Sequence, residues 1–153
     1  CGACAAAANK GIWVVDGDNN TIENIELSGA VSSDRNGAAV RLEGSGITMR
    51  RVYFHHNQDG LLTNNNLNGE VLIEYSEFAN NGVNDGLSHN IYVGRVDKLT
   101  LQYSYSHSAI GGQLVKRALP TITSFLTDYR RSRAIPAIRS PFRTAVFLTS
   151  SAM

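Results

Sequence analysis

The chain has 153 residues, of which 42% are hydrophobic and 18% are charged, and its formal net charge is +1. This composition supports one folded domain with a core and excludes a wholly disordered chain. The apolar runs are too short for a membrane-spanning helix, and the near-zero net charge provides no basic field to recruit nucleic acid. Because the sequence begins with Cys1 and has no secretion-signal pattern, we expect a fragment or a processed product.

The composition changes abruptly near Arg117. The first 115 residues carry seven Lys or Arg against twelve Asp or Glu, whereas the remainder carries seven Lys or Arg against one Asp. All 14 glycines precede the change and all three prolines follow it. We therefore predict an irregular segment over 1–9, a repeat domain over 10–117, and an atypical, poorly ordered basic tail over 118–153.

A repeat of about 25 residues runs through the first part of the chain. Five glycines are spaced by 26, 23, 26 and 26 residues, and a short apolar segment follows each: Gly11, Gly37, Gly60, Gly86 and Gly112. Further short segments, ending at Leu27, Phe54, Phe78 and Ser106, have the alternation and the β-branched and aromatic content of strands. This repeat length with short strands predicts a parallel β-solenoid, in which the five glycines turn the same corner. The sequence lacks the Leu frame of a leucine-rich repeat, and a propeller blade requires a longer repeat unit than the one found here.

Several segments carry the resemblance to a known family: KGIWVVDGDNNTIENIELSGA, GITMRRVYFHHNQDGLLT, EVLIEYSEFANNG and DGLSHNIYVG. Their Gly–apolar, Thr–apolar–x–x–apolar and Phe–x–x–Asn frame resembles the bacterial right-handed parallel β-helix repeat proteins of the pectate-lyase-like superfamily. The resemblance implies an all-β right-handed parallel β-helix of about four to five coils, located outside the cell, in the periplasm or in the cell envelope. That superfamily contains lyases, hydrolases, epimerases, esterases and non-catalytic adhesins. The motif sets of its epimerases and hydrolases are absent, so no catalytic residue is carried over.

The tail has two interpretations. When residues 118–153 are back-translated and shifted by one base, the codons permit Asn-rich and Gly-rich runs like those of the repeat. We therefore hypothesise a frameshift product. The alternative is a genuine basic arm for an anionic partner, whose densest cluster is RRSR at 130–133.

The position four residues after each glycine predicts a polar column on one face: Val15, Arg41, Asn64, Asn90 and Lys116. Arg41 and Lys116 are candidate catalytic cations that would neutralise a uronate and take its C5 proton in β-elimination. Asn64 and Asn90 are candidate substrate-binding amides. The alternative is an ordinary solvated face, and variable loop lengths could shift the register by one residue.

Three further residues are candidates for chemistry. Asp59 and Asp85 each precede a repeat glycine, so they could lie one coil apart and either share acid/base work or hold Ca²⁺. The alternative for both is Asp-Gly turn chemistry. His89 is the third catalytic candidate, although its alignment with inward apolar positions favours a hydrogen-bonded interior histidine. No cofactor other than Ca²⁺ is expected.

Two functions follow from these expectations. The first is a secreted or cell-envelope module that binds an acidic polysaccharide or presents a face to it. The second is a polysaccharide lyase or another carbohydrate-active enzyme acting on uronate-containing polymers. In either case we expect a monomer with no nucleic-acid partner and no membrane span.

Overall fold

The computed structural model describes residues 4–5, 7–65, 68–118 and 124–126. This part of the chain contains fourteen β-strands and no helix. The strands are β1 (Cys4–Ala5), β2 (Gly11–Val15), β3 (Asn20–Ser28), β4 (Ala30–Val31), β5 (Ala38–Leu42), β6 (Ile47–His55), β7 (Asp59–Thr63), β8 (Glu70–Glu74), β9 (Glu77–Ala79), β10 (Ile91–Val93), β11 (Lys98–Gln102), β12 (Tyr105–His107), β13 (Lys116–Arg117) and β14 (Ser124–Leu126).

Twelve of the strands form two large parallel sheets, a front sheet and a back sheet, and β1 pairs with β4 in a separate two-stranded parallel sheet. The front sheet has the order β13-β10-β7-β5-β2, and the back sheet contains β3, β6, β8, β9, β11, β12 and β14. Each coil adds one strand to the front sheet and one long or divided strand to the back sheet. The result is an all-β parallel solenoid of about four turns, which confirms the predicted fold class.

The back sheet has the register that the repeat predicts. Leu27 pairs with Phe54, Phe54 with Phe78, and Phe78 with Ser106, so the four predicted segment ends lie in one column. One turn of the solenoid is one strand spacing along this column, about 4.8 Å. The phenyl rings of Phe54 and Phe78 meet edge to face with centroids 5.3 Å apart inside the solenoid.

The front sheet departs from the predicted register. Gly11 pairs with Ala38, and Ala38 pairs with Asp59, so the repeat glycines do not turn one common corner. Gly86 and Gly112 lie outside the strands altogether. The reason is that the connections entering the front sheet differ in length, from three residues before β7 to eleven before β10.

A column of left-handed backbone divides each back-sheet rung into two halves. Asn24, Arg51, Tyr75 and Tyr103 have φ angles of 56°, 51°, 51° and 51°. Non-glycine residues adopt this conformation at some cost, and in successive coils it bends the chain at the same place. The four side chains therefore stand at one corner of the solenoid.

The core consists of apolar side chains from both sheets, among them Ile22, Leu42, Met49, Val52, Phe54, Leu61, Ile73, Phe78, Ile91 and Leu101. Val14 is not in this set, because it pairs with Arg41 in the column on the other side of the front sheet. In the described residues no helix has the length and apolar character required to cross a membrane.

Three buried asparagines form a ladder that joins the coils. The Asn57 amide donates to the carbonyl oxygen of Leu27 and to Asn81 Oδ1. Asn81 in turn donates to the carbonyl oxygen of Phe54 and to Asn90 Oδ1. Each amide satisfies backbone groups that would otherwise be buried without partners, which is the main energetic requirement for polar groups in a core.

The predicted tail is described only in part. Residues 124–126 form β14, which pairs with β11 and extends the back sheet. Residues 119–123 and 127–153, including RRSR at 130–133, lie outside the described residues, as do residues 1–3 and 6 of the predicted N-terminal segment.

Candidate functional site

A groove of about 330 Å³ lies against the front sheet. It is lined by Asp34, Arg35, Asn36, Arg41, Asp59, Leu62, Thr63, Asn64, Asn65, Asp85, Leu87 and Tyr92. The lining thus combines carboxylates, guanidinium groups, amides and one aromatic ring.

The groove exists because a short connection lies between two long ones. Only residues 56–58 separate β6 from β7, whereas residues 32–37 and 80–90 form longer connections in the coils on either side. These two connections meet above the start of β7, where Ser88 Oγ donates to the carbonyl oxygen of Arg35 over 3.2 Å. We call residues 32–37 the first wall and residues 82–90 the second wall.

Gln58 holds the first wall in place. Its Oε1 accepts the backbone N–H groups of Ser32 at 2.9 Å and Gly37 at 2.8 Å. Its Nε2 donates to the carbonyl oxygen of Ser32 at 3.2 Å. Since Gln58 is buried, loss of these bonds would leave several buried polar groups without partners.

Asp85 holds the second wall. One carboxylate oxygen, Oδ1, accepts the backbone N–H groups of Leu87 and Ser88, both at 2.9 Å, and the hydroxyl of Ser88 at 3.0 Å. The two backbone N–H groups lower the pKa of Asp85, because they stabilise the ionised carboxylate. The predicted turn role of Asp85 is therefore confirmed, and the same residue lines the groove.

Asp59 is a buried carboxyl group between the walls. It is 2% exposed, and its Oδ1 accepts the backbone N–H of His89 at 2.7 Å. Burial raises the pKa of Asp59 to about 7, against the lowering effect of the His89 N–H, and the negative charge of Asp85 raises it further. The groove thus contains one carboxyl group that keeps its proton up to neutral pH and one, Asp85, that ionises readily.

The predicted polar column is wrong in register. The column that the front sheet forms is Val14, Arg41, Leu62, Tyr92 and Lys116. Val15 and Asn64 are displaced from it by the variable connections. Asn64 still lines the groove.

Asn90 is the clearest departure from expectation. It is fully buried, and its amide donates to the carbonyl oxygens of Phe78 at 3.1 Å and His107 at 2.7 Å. Its Oδ1 accepts from Asn81. Asn90 is therefore a rung of the asparagine ladder and cannot reach a ligand in the groove.

The two predicted cations, Arg41 and Lys116, lie in this column, and each contacts another side chain of the protein. Arg41 Nε lies 3.0 Å from Glu43 Oε1, and Lys10 Nζ lies 2.9 Å from the same oxygen. Lys116 Nζ stands 5.3 Å from the centroid of the Tyr92 ring, a cation–π contact. Arg41 lines the groove directly, whereas the Lys116 charge acts on Asp59 by lowering its pKa.

His89 is an interior histidine, as its alignment favoured. It is 2% exposed, and its Nδ1 accepts the backbone N–H of Gln113 at 2.9 Å. Burial lowers the pKa of His89, and the charge of Lys116 lowers it further. A neutral ring that accepts at Nδ1 carries its proton on Nε2, and Nε2 is buried without a hydrogen-bond partner among the described residues.

Sequence reasoning missed the residues that give the groove its walls and its aromatic surface. Gln58, Arg35 and Leu87 lie in connections where no repeat frame predicts their contacts. Tyr92 lies in the predicted strand of the SHNIYVG segment, but the glycine spacing assigned its place in the column to Asn90. Its hydroxyl donates to Asn65 Oδ1 at 3.2 Å, and its ring stacks on His89.

The chain matches no protein-family model, and neither a curated protein nor a solved structure is significantly similar to it. The function must therefore be argued from the groove itself. Within residues 7–65 and 68–118, no three His, Cys, Asp or Glu side chains are grouped so that they could hold a metal ion. Asp59 and Asp85 line the same groove without a third such ligand grouped with them.

Proposed function

We propose that this protein binds a polysaccharide along the groove of the front sheet. The observation that carries the proposal is the lining itself, which combines the amides of Asn64 and Asn65, the carboxyl groups of Asp59 and Asp85, and the Tyr92 ring. Carboxyl and amide groups exchange hydrogen bonds with sugar hydroxyls, and an aromatic ring packs against the apolar face of a sugar. The resemblance to right-handed β-helix proteins of the pectate-lyase-like superfamily, many of which act on carbohydrates outside the cytoplasm, supports the same ligand class.

The charge of the groove favours an uncharged polysaccharide over the acidic one that the sequence suggested. Three carboxyl groups and two guanidinium groups line it, and Arg41 is held in an ion pair with Glu43, which also pairs with Lys10. A uronate carboxylate entering this groove would meet the carboxylates of Asp34 and Asp85, while Arg41 is already held by Glu43. Like charges at short range disfavour binding.

Replacement of Tyr92 or Asn64 by alanine tests the groove. We expect each variant to bind a neutral glucan or mannan about tenfold more weakly, a loss of about 1.4 kcal/mol, because each removes a ligand contact without opening the core. Affinity electrophoresis or calorimetry on the full chain measures this, with polygalacturonate as the charged comparison.

Asn68→Ala is the matched control, since Asn68 is exposed and does not line the groove. Equal affinity of the groove variants and this control would refute the groove as the binding site. Tighter binding of polygalacturonate than of every neutral chain would refute the charge argument while leaving the site intact.

A carbohydrate-active enzyme is the second candidate, and one observation favours it. Asp59 and Asp85 line one groove, and their surroundings move their pKa values in opposite directions. Such a pair is suited to general acid and general base catalysis of glycosidic bond cleavage, with Asp59 as the acid. Arg41 is less suited to act as the base of a lyase, because Glu43 holds its guanidinium in an ion pair.

For this second candidate, Asp59→Asn and Asp85→Asn should each abolish cleavage of a polysaccharide that the wild type cleaves. Asp16→Asn should not, since Asp16 is exposed and lies outside the groove. Activity should also fall as the pH rises above about 7, because Asp59 then loses the proton that it must donate. Reducing-end release measures hydrolysis, and ultraviolet absorbance of unsaturated uronates measures elimination; activity retained by both aspartate variants would exclude this mechanism.

A further inference from the structure

Two exposed tyrosines are stacked on each other at the left-handed corner of the back sheet. Tyr75 and Tyr103 are 44% and 45% exposed. Their ring centroids are 5.0 Å apart and their planes differ by 9°. Neither tyrosine lines the groove.

The backbone fixes this stack. Both residues have φ angles of 51°, and each directly follows a strand of the back sheet, β8 or β11. Those strands pair in register from Lys98 with Glu70 to Gln102 with Glu74, so the two tyrosines are neighbours on successive coils. The Tyr75 N–H also donates to the carbonyl oxygen of Gln102 at 3.3 Å.

The other aromatic column of the back sheet provides a contrast. Tyr53 and Tyr105 both pair with Glu77, so they are separated by a whole intervening coil. Each instead contacts a histidine of its own strand with centroids 4.3 Å apart: Tyr53 is tilted by 31° against His55, and Tyr105 stacks on His107. Among these four tyrosines, Tyr75 and Tyr103 form the pair whose rings touch.

We propose that Tyr75 and Tyr103 are a site of oxidative crosslinking, at which a heme peroxidase and hydrogen peroxide join the two rings as dityrosine. Each phenol gives up one electron and one proton to form a phenoxyl radical. The radicals couple through one ring carbon ortho to each oxygen, and the hydrogens on those two carbons move to the oxygens to restore the phenols. The two electrons and two protons reduce one hydrogen peroxide to two waters.

Stacking favours this coupling because the radicals form already in contact, which replaces a bimolecular encounter by an intramolecular one. Exposure lets a large oxidant draw electrons from both rings and leaves the side chains free to turn edge to edge. The product is a covalent link between the third and fourth coils. In a solenoid whose stability is a sum over neighbouring interfaces, such a link acts on the interface that it spans.

The experiment treats the full chain with horseradish peroxidase and hydrogen peroxide, and isolates the monomer. We expect the blue fluorescence of dityrosine and a mass lowered by two hydrogen atoms. Trypsin should yield one crosslinked species, because cleavage after Arg95 and Lys98 places the two tyrosines on different peptides. Tyr75→Phe and Tyr103→Phe should each abolish this species while preserving the ring stack.

Tyr105→Phe is the matched control, since it removes a tyrosine from the same tryptic peptide as Tyr103 but not from the stack. It should retain the crosslink in full. The proposal is overturned if the monomer contains no dityrosine, if the crosslink survives in Tyr103→Phe, or if Tyr105→Phe removes it.

Discussion

Asn81→Ala is expected to destabilise the protein by about 3–5 kcal/mol, since each buried polar group left without a partner costs about 1–3 kcal/mol. Asn81 is fully buried and has four side-chain bonds. It donates to the Phe54 carbonyl oxygen and Asn90 Oδ1, each at 3.0 Å, and accepts from Asn57 N–H at 3.1 Å and Asn57 Nδ2 at 3.0 Å. Alanine removes the central member of the ladder, so the side-chain hydrogen bonds to both Asn57 and Asn90 are lost at once. Urea denaturation measures the free energy of unfolding.

Asn64→Ala is the control for this prediction. Asn64 is exposed, and its amide donates to Glu43 at 3.1 Å on the surface. Exposed substitutions usually change stability by no more than about 0.5 kcal/mol. Similar losses in the two variants would show that the ladder contributes no more than a surface amide does.

The stability difference between wild type and Asp59→Asn should change with pH. Burial raises the pKa of Asp59 from 3.8 to about 7, so between these values the folded chain holds a proton that the unfolded chain releases. Its stabilising contribution is complete below the unfolded pKa and is lost as the pH rises to about 7. The expected slope is about 1.4 kcal/mol per pH unit, on the order of 4 kcal/mol in total. Asparagine keeps an oxygen to accept from His89 N–H but has no proton to lose.

Urea denaturation of both proteins at several pH values measures this difference, and groups common to both chains cancel. Asp85→Asn is the control, because its stability difference from wild type should change with pH in the opposite direction. The pKa of Asp85 is lowered by the Leu87 and Ser88 N–H groups, so its stabilising contribution is lost as the pH falls. If the stability difference between wild type and Asp59→Asn stays constant from about pH 4 to about pH 7, Asp59 is not buried as described.

The back sheet was predictable because its repeat signals lie inside strands. Leu27, Phe54, Phe78 and Ser106 mark the same position of each rung, and alternation then places their neighbours. The front sheet was not predictable, because its strands follow connections of unequal length. The spacing of the glycines reflects the number of residues along the chain, whereas the strand register is set by the hydrogen bonds between coils.

Asn90 illustrates the same limit. The Phe–x–x–Asn frame places Asn57 and Asn81 in the ladder, but the fourth coil has Ser106 and Ala109 at the corresponding positions. Asn90, from the long second wall, occupies the vacant rung and donates to Ser106 Oγ at 3.1 Å. Only the three-dimensional arrangement shows that Asn90, which lies in a different connection, completes the ladder that Asn57 and Asn81 begin.

The groove itself follows from loop length, which the repeat pattern does not encode. Its first wall is attached to the solenoid through Gln58, and the second wall is organised by Asp85, while the coils are joined by strand pairing and by the asparagine ladder. An insertion or deletion between Ser32 and Gly37 would widen or narrow the groove without altering any strand. The strand scaffold and the walls of the groove are thus encoded in separate stretches of the chain, so evolution could reshape the groove while the same scaffold is inherited.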